Sequence, residues 1–179
     1  GSGHLNPAVT IGLLRFSDFD SSLLPTYILA QFAGAITGAI IVWLAYKQHF
    51  DSTDDKDGKL AVFCTAPAIR NPLYNLITEI IGTFVLGFGA LAMSKPATTL
   101  GTLDALPVSL LVLGIGLSLG GPTGYAINPA RDLGPRIAHF ILPIKNKRDS
   151  DWSYSVIPVI GPVIGGMLAA WLFSIISQN

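Results

Sequence analysis

Two asparagines and one arginine carry most of the polar chemistry inside this chain's apolar stretches. Asn6-Pro7-Ala8 and Asn128-Pro129-Ala130 stand 122 positions apart, and Arg131 follows the second copy at once. Asparagine is a favoured helix N-cap, because its side-chain oxygen accepts a first-turn N–H. Proline suits the first helical position, where a missing N–H costs nothing. With its oxygen committed to the cap, each asparagine keeps its NH2 group to donate. Each copy therefore opens a helix, over PAVTIGLLRF and PARDLGPRIAHF. At about 1.5 Å per residue, ten or so residues cover roughly half of a hydrocarbon core of about 30 Å. Two such half-helices entering from opposite faces cross a membrane together. Their positive ends and amide donors then meet at one point, which welcomes the oxygen of a neutral molecule and repels cations.

Other polar groups have two readings each. Arg131 either snorkels to an interface or faces the pore, and its place three residues past the cap favours the pore. Glu79 is either a solvated helix-end residue or a buried acceptor. Its position within an apolar stretch favours the acceptor, since intramembrane ionisable groups have partners. His4 has no carboxylate or nucleophile nearby in sequence and reads as structural rather than as a base or proton relay. The run Asp51–Lys59 and the run Lys145–Asp149 read as polar loops. No nucleophile–base pair appears, which argues against an enzyme. The single cysteine, Cys64, excludes an intrachain disulfide, and no Cys/His cluster has metal-ligand spacing. No cofactor is expected, and zero net charge suggests no nucleic-acid partner.

The elements that must hold these residues are membrane helices. Half of the residues are hydrophobic and 12% are charged, against about a quarter charged in soluble domains. Charge is absent from 21–46, 105–130 and 152–179, and Glu79 is the only charge between Asn71 and Ser94. Each stretch exceeds the roughly 20 residues that span a bilayer. Spans are expected at about 22–46, 72–94, 105–121 and 154–177. The reading is thus an all-α, multi-pass protein of the cell membrane. Gly34-x-x-x-Gly38 and Gly161-x-x-x-Gly165 occupy matching places after the two motifs and read as close-packing positions. The repetition implies an inverted repeat. One domain is expected, with 1–48 ending the first repeat, 49–71 connecting, and 72–179 forming the second. Two spans precede the second motif and none precedes the first, so a six-helix protein lacking its first two helices is expected. The charge distribution alone places 47–70 and 136–148 in the cytoplasm.

The stretches GHLNPAVT at 3–10, TEIIGTF at 78–84 and GPTGYAINPARDLGPR at 121–136 resemble the aquaporin superfamily, and within it the glycerol-facilitator, or aquaglyceroporin, branch. Asp132 and Arg136 resemble the branch-marking pair, and Pro158 resembles the proline of the last helix. The resemblance implies a filter of Arg131, Gly116 and Tyr125, with a fourth residue outside this chain. Gly116 stands where strict water channels carry histidine, which widens the pore. Tyr125 stands where glycerol channels often carry phenylalanine, so the added hydroxyl bears on solute preference. Pore-lining carbonyls are implied at Ser2, Gly3 and His4 and at Gly124, Tyr125 and Ala126. Glu79 matches a glutamate that accepts backbone N–H groups of a half-helix loop. The resemblance also implies a homotetramer with one pore per subunit, and cytoplasmic termini, against the charge count. Its implied activity is passive passage of glycerol and other small uncharged solutes, with some water, while ions and protons are excluded. A water-selective or small-acid-selective channel is the near alternative. A coupled transporter would need ionisable groups along its path, and the spans offer only Glu79.

Overall fold

The computed structural model describes residues 3–16, 19–93 and 101–177. Among these residues the chain is helical, with no strand. Its α-helices are α1 (Pro7–Phe16), α2 (Leu24–Ala45), α3 (Lys47–Ser52), α4 (Lys56–Ala61), α5 (Pro72–Ala92), α6 (Leu106–Thr123), α7 (Pro129–Ile141) and α8 (Ile157–Ile176). Helices α2, α5, α6 and α8 are long and apolar enough to cross a bilayer. Their outward faces carry Leu29, Ile41, Leu73, Leu110, Leu117 and Trp171, all exposed, as suits contact with lipid. Helices α1 and α7 have 10 and 13 residues and reach only part of the way. The expected span boundaries differ from the observed ones by a few residues. The largest difference is at α8, because 152–156 form turns before it.

Close backbone approaches decide how the helices pack. A methyl group on Gly165 would lie 2.3 Å from the Ile80 carbonyl oxygen, and one on Gly161 would lie 2.7 Å from Glu79 Cβ. These two glycines thus let α8 press against α5. Helix α1 rests on α8, where a methyl on Gly166 would meet the Ala8 oxygen at 2.8 Å. Helix α7 rests on α2, where a methyl on Gly134 would meet Ala35 Cβ at 2.7 Å. Each half-helix is therefore seated on a spanning helix from the other half of the chain. The other expected close-packing pair behaves differently. Nothing among the described residues lies within 4 Å of a methyl placed on Gly34 or Gly38.

The 47–71 segment is more ordered than its composition suggests. Asp55 Oδ1 accepts from the N–H groups of Asp57 (3.0 Å) and Gly58 (2.9 Å) and starts α4. Phe50, Leu60 and Phe63 are buried beneath the polar run. Lys59 is also buried and donates to the Lys145 carbonyl at 2.7 Å. The expected polar loop is thus two short helices packed onto the 142–150 segment. That segment is not a free loop either. Lys147 Nζ donates to the carbonyls of His139 (2.5 Å), Phe140 (2.8 Å) and Leu142 (2.7 Å), closing the C-terminal end of α7.

Candidate functional site

The two Asn-Pro-Ala copies meet through a reciprocal pair of hydrogen bonds. Asn6 Nδ2 donates to the Ile127 carbonyl at 2.7 Å, and Asn128 Nδ2 donates to the Leu5 carbonyl at 3.0 Å. Each asparagine therefore holds the residue that precedes the other. Each also caps its own helix. Asn6 Oδ1 accepts from Ala8 N at 2.9 Å. Asn128 Oδ1 accepts from Ala130 N at 3.0 Å and Arg131 N at 3.2 Å. Pro7 and Pro129 open the two helices, and Ala8 and Ala130 are buried at the junction. One N–H of each amide is spent on the crossed bond. Each side chain thus keeps one N–H for a visiting oxygen, where its inventory alone allowed two.

The first motif is braced from α2. Gln31 Nε2 donates to the His4 carbonyl and to Thr10 Oγ1, both at 2.9 Å. Thr10 Oγ1 donates in turn to the Asn6 carbonyl at 3.0 Å. The His4 ring packs with those of Phe19 and Tyr27 in a three-ring cluster, with centroids 5.2 and 5.3 Å away. No carboxylate or nucleophile bonds to it among the described residues.

The second motif is braced from α5. Glu79 is buried, and its Oε1 accepts from Thr123 Oγ1 (2.7 Å) and Ala126 N (3.0 Å). Its Oε2 accepts from Ile127 N at 2.7 Å. These bonds hold an unusual backbone. Gly124, Tyr125 and Ile127 have φ of 75°, 41° and 42°, a left-handed region that costs energy for residues bearing a Cβ. A buried carboxylate with three donors is a strong enough partner to hold it, since each charge-assisted bond contributes about 1.5–3 kcal/mol.

A cavity of about 470 Å³ runs beside this junction. It is lined on one side by Gly3, His4, Leu5 and Asn6, and on the other by Tyr125, Ala126, Asn128 and Arg131. The Arg131 guanidinium carbon lies 5.8 Å from the centre of the Tyr125 ring. Arg131 has no ion pair among the described residues, so its charge acts on the cavity uncancelled. Tyr125 is seated on α6 against two glycines. A methyl on Gly116 would lie 3.0 Å from Tyr125 Cζ, and one on Gly120 would lie 3.0 Å from its Cδ1. The room that Gly116 leaves is thus filled by the tyrosine ring. This revises the expectation that the missing side chain directly widens the passage.

Of the expected carbonyl positions, Ser2 lies outside the described residues. Gly3, His4, Tyr125 and Ala126 border the cavity, and the His4 oxygen already accepts from Gln31. Gly124 does not border it and packs against Thr65 instead.

Asp132 and Arg136 lie behind the site, fully buried, as an ion pair 2.9 Å apart. Asp132 Oδ2 accepts from Thr65 N (2.7 Å) and Thr65 Oγ1 (2.5 Å). Arg136 donates to the carbonyls of Ser150 (2.7 Å), Asp151 (2.9 Å) and Thr65 (3.0 Å). The pair is therefore a clamp joining α7 to two loops, and neither residue borders the cavity. Pro158 is buried in the first turn of α8 and does not border it either. Asp151 also pairs with Arg70. Burial raises the Asp151 carboxyl, but bonds from Arg70 and Ser153 and the nearby guanidinium charges outweigh it and hold it below its usual range. Burial pushes the Cys64 thiol up to about 12, so it stays protonated and inert. No group of metal-ligating side chains occurs among the described residues.

Thr65, Gln31, Thr123 and Gly120 were not marked by the sequence. For Gly120 a signal existed, since it stands one helical turn from Gly116 on the tyrosine-bearing face.

Residues 1–173 match the family model of the major intrinsic proteins. The chain is 60% identical over 174 residues to a probable glycerol uptake facilitator protein of Thermotoga maritima, covering 95% of this chain and 74% of that one. It is 51% identical over 173 residues to glycerol uptake facilitator protein 3 of Lactiplantibacillus plantarum, covering 97% and 72%. The fold is similar to the X-ray structure of the aquaglyceroporin from Plasmodium falciparum, with a TM-score of 0.82, 29% identity, and coverage of 96% of this chain and 71% of that one. With its paired capped half-helices, buried bracing glutamate and membrane-length helices, the chain belongs to the major intrinsic protein family.

Proposed function

We propose that this protein is a passive channel for glycerol and other small uncharged solutes, with some water, and that it excludes ions and protons. The observation that carries the reading is the crossed pair of bonds from Asn6 to Ile127 and from Asn128 to Leu5. It aims two helix N-termini and two amide donors at one point beside the cavity. A solute oxygen is favoured there, and a cation meets two positive helix ends and Arg131. Dipole ends and an arginine are a known physical basis for such exclusion. Beside Arg131 the Tyr125 ring supplies an apolar wall. A polyol can lay its carbon edge on the ring while its hydroxyls accept from the guanidinium. The relatives named as glycerol facilitators support the same solute. We read 1–48 as the end of a first repeat, joined by 49–71 to an inverted second repeat over 72–179, and the assembly as a homotetramer with one pore per subunit.

The test is solute-driven swelling of liposomes carrying the complete protein. Glycerol should enter faster than into empty liposomes, and equal rates would sink the proposal. The near alternative, a channel for water or small protonated acids, is favoured by the Tyr125 hydroxyl. Running water, glycerol and lactic acid in the same assay separates the two.

A further inference from the structure

We propose that Thr65 is a positioning residue that sets the aperture at Arg131 and Tyr125, and this rests on the channel reading above. Thr65 belongs to neither Asn-Pro-Ala motif and to no spanning helix. It is nevertheless buried, bonded to the segment that carries Arg131 and placed beside the one that carries Tyr125. On one side its N–H and its hydroxyl both donate to Asp132 Oδ2, next in sequence to Arg131. On the other side its methyl carbon would lie 3.3 Å from a methyl placed on Gly124, next in sequence to Tyr125. Its carbonyl accepts from Arg136 at 3.0 Å. The same strap is tied to α6 three residues later, where Ala68 N donates to the Pro122 carbonyl at 3.0 Å.

Thr65 thus works as a spacer between two backbones. The first turn of α7 is drawn toward it by a charge-assisted hydroxyl bond. The left-handed turn at Gly124 and Tyr125 is stopped from moving toward it by a methyl group. The distance between the Arg131 and Tyr125 side chains depends on both contacts. Threonine alone among the common side chains offers a hydroxyl donor and a methyl on one Cβ. Without the hydroxyl bond, the Arg131-bearing turn is held toward Thr65 only by the backbone bonds to Asp132 and Arg136, so it can shift away from Tyr125 and widen the passage. The consequence is a change in which solutes pass, rather than in how many channels fold.

The test compares permeabilities to glycerol, to a five-carbon polyol and to water in proteoliposomes of the complete protein. Thr65→Val removes only the hydroxyl, Thr65→Ala removes hydroxyl and methyl, and Thr65→Ser restores the hydroxyl. The polyol-to-glycerol ratio should rise at least ~3-fold, the factor for about half of a tenfold barrier step, in Thr65→Val and Thr65→Ala. Thr65→Ser, which keeps the hydroxyl bond and lacks only the methyl, should raise it less than Thr65→Val does. Thr78→Val, at a half-buried threonine bonded to its own helix, should leave it unchanged. If all permeabilities fall in parallel while the ratio holds, Thr65 is only structural and the proposal is overturned. An unchanged ratio in folded Thr65→Val overturns it as well. If the unsubstituted protein itself passes no solute above empty liposomes, the channel reading fails first, and the two failures are thereby told apart.

Discussion

At the scale of single residues, the site depends on acceptors and donors that cannot be exchanged for near-isosteres. Glu79 gives both carboxylate oxygens to three donors. In Glu79→Gln one of those oxygens becomes an NH2 that faces another donor. The expected loss is about 1–3 kcal/mol, the cost of a buried donor left unpaired. A thermal midpoint in detergent equal to wild type would show that the Gly124–Ile127 turn needs no carboxylate. Arg131 is expected to act on selectivity rather than on folding, because its charge makes no ion pair among the described residues. Arg131→Ala should raise proton leak by ~10-fold, the factor carried by about 1.4 kcal/mol of lost barrier. A pH-sensitive dye inside the liposomes reads it directly. Residues of this kind were legible beforehand where a local rule governs them. Asn6 and Asn128 are caps beside prolines, and Glu79 is a charge in an apolar span. Thr65 and Lys59 were not legible. Their partners lie 67 and 86 positions away, and nothing in a threonine or in a lysine of an aspartate-rich run announces a distant oxygen.

At the scale of elements, packing is set by glycines whose faces are committed to particular neighbours. Gly165→Ala would place a methyl 2.3 Å from the Ile80 carbonyl, so α5 and α8 would have to separate. Overpacking of this kind costs typically 1–3 kcal/mol. The variant should unfold at lower temperature, and an unchanged midpoint would mean the two helices slide freely. The C-terminal end of α7 offers a second check. Lys147→Met removes the donor to three carbonyls, and a loss of about 1–2 kcal/mol is expected. Half-helices and spans could be read from the chain because hydropathy and capping are properties of neighbouring residues. The helices α3 and α4 could not. Their polar residues outnumber the few apolar side chains that actually bury, Phe50 and Leu60, with Phe63 just beyond α4. Equivalent spacing also misled, since Gly161 and Gly165 meet a helix while Gly34 and Gly38 meet nothing among the described residues. A spacing rule says that a close approach is possible, and only the fold says whether a partner is there.

At the scale of the whole molecule, the loops outside the membrane are cross-tied through Asp151, Arg70 and Arg136. The folded Asp151 carboxyl titrates below its unfolded value of about 3.9. Its contribution is therefore intact above about pH 4 and is lost as pH falls through the lower folded value. Thermal midpoints measured from pH 6 down to pH 3 should drop in the wild type. The drop should be smaller in Asp151→Asn, which starts from a lower midpoint and keeps a side chain that tolerates the left-handed φ of 49°. Equal acid sensitivity in both proteins would move the acid-labile tie elsewhere.

The crossed asparagine bonds also bear on how the protein is made. Asn6 and Ile127 are separated by 121 positions, and Asn128 and Leu5 by 123. Contacts this far apart close late, after their loop entropy has been overcome. A half-synthesised or half-inserted chain holds one half-helix and no counterpart, so it has no continuous route through the bilayer. The clasp that completes the passage is also the contact that requires both halves to be in place. A passage is therefore expected to open only once both halves are in place, and dye leakage from liposomes carrying either half alone would count against it.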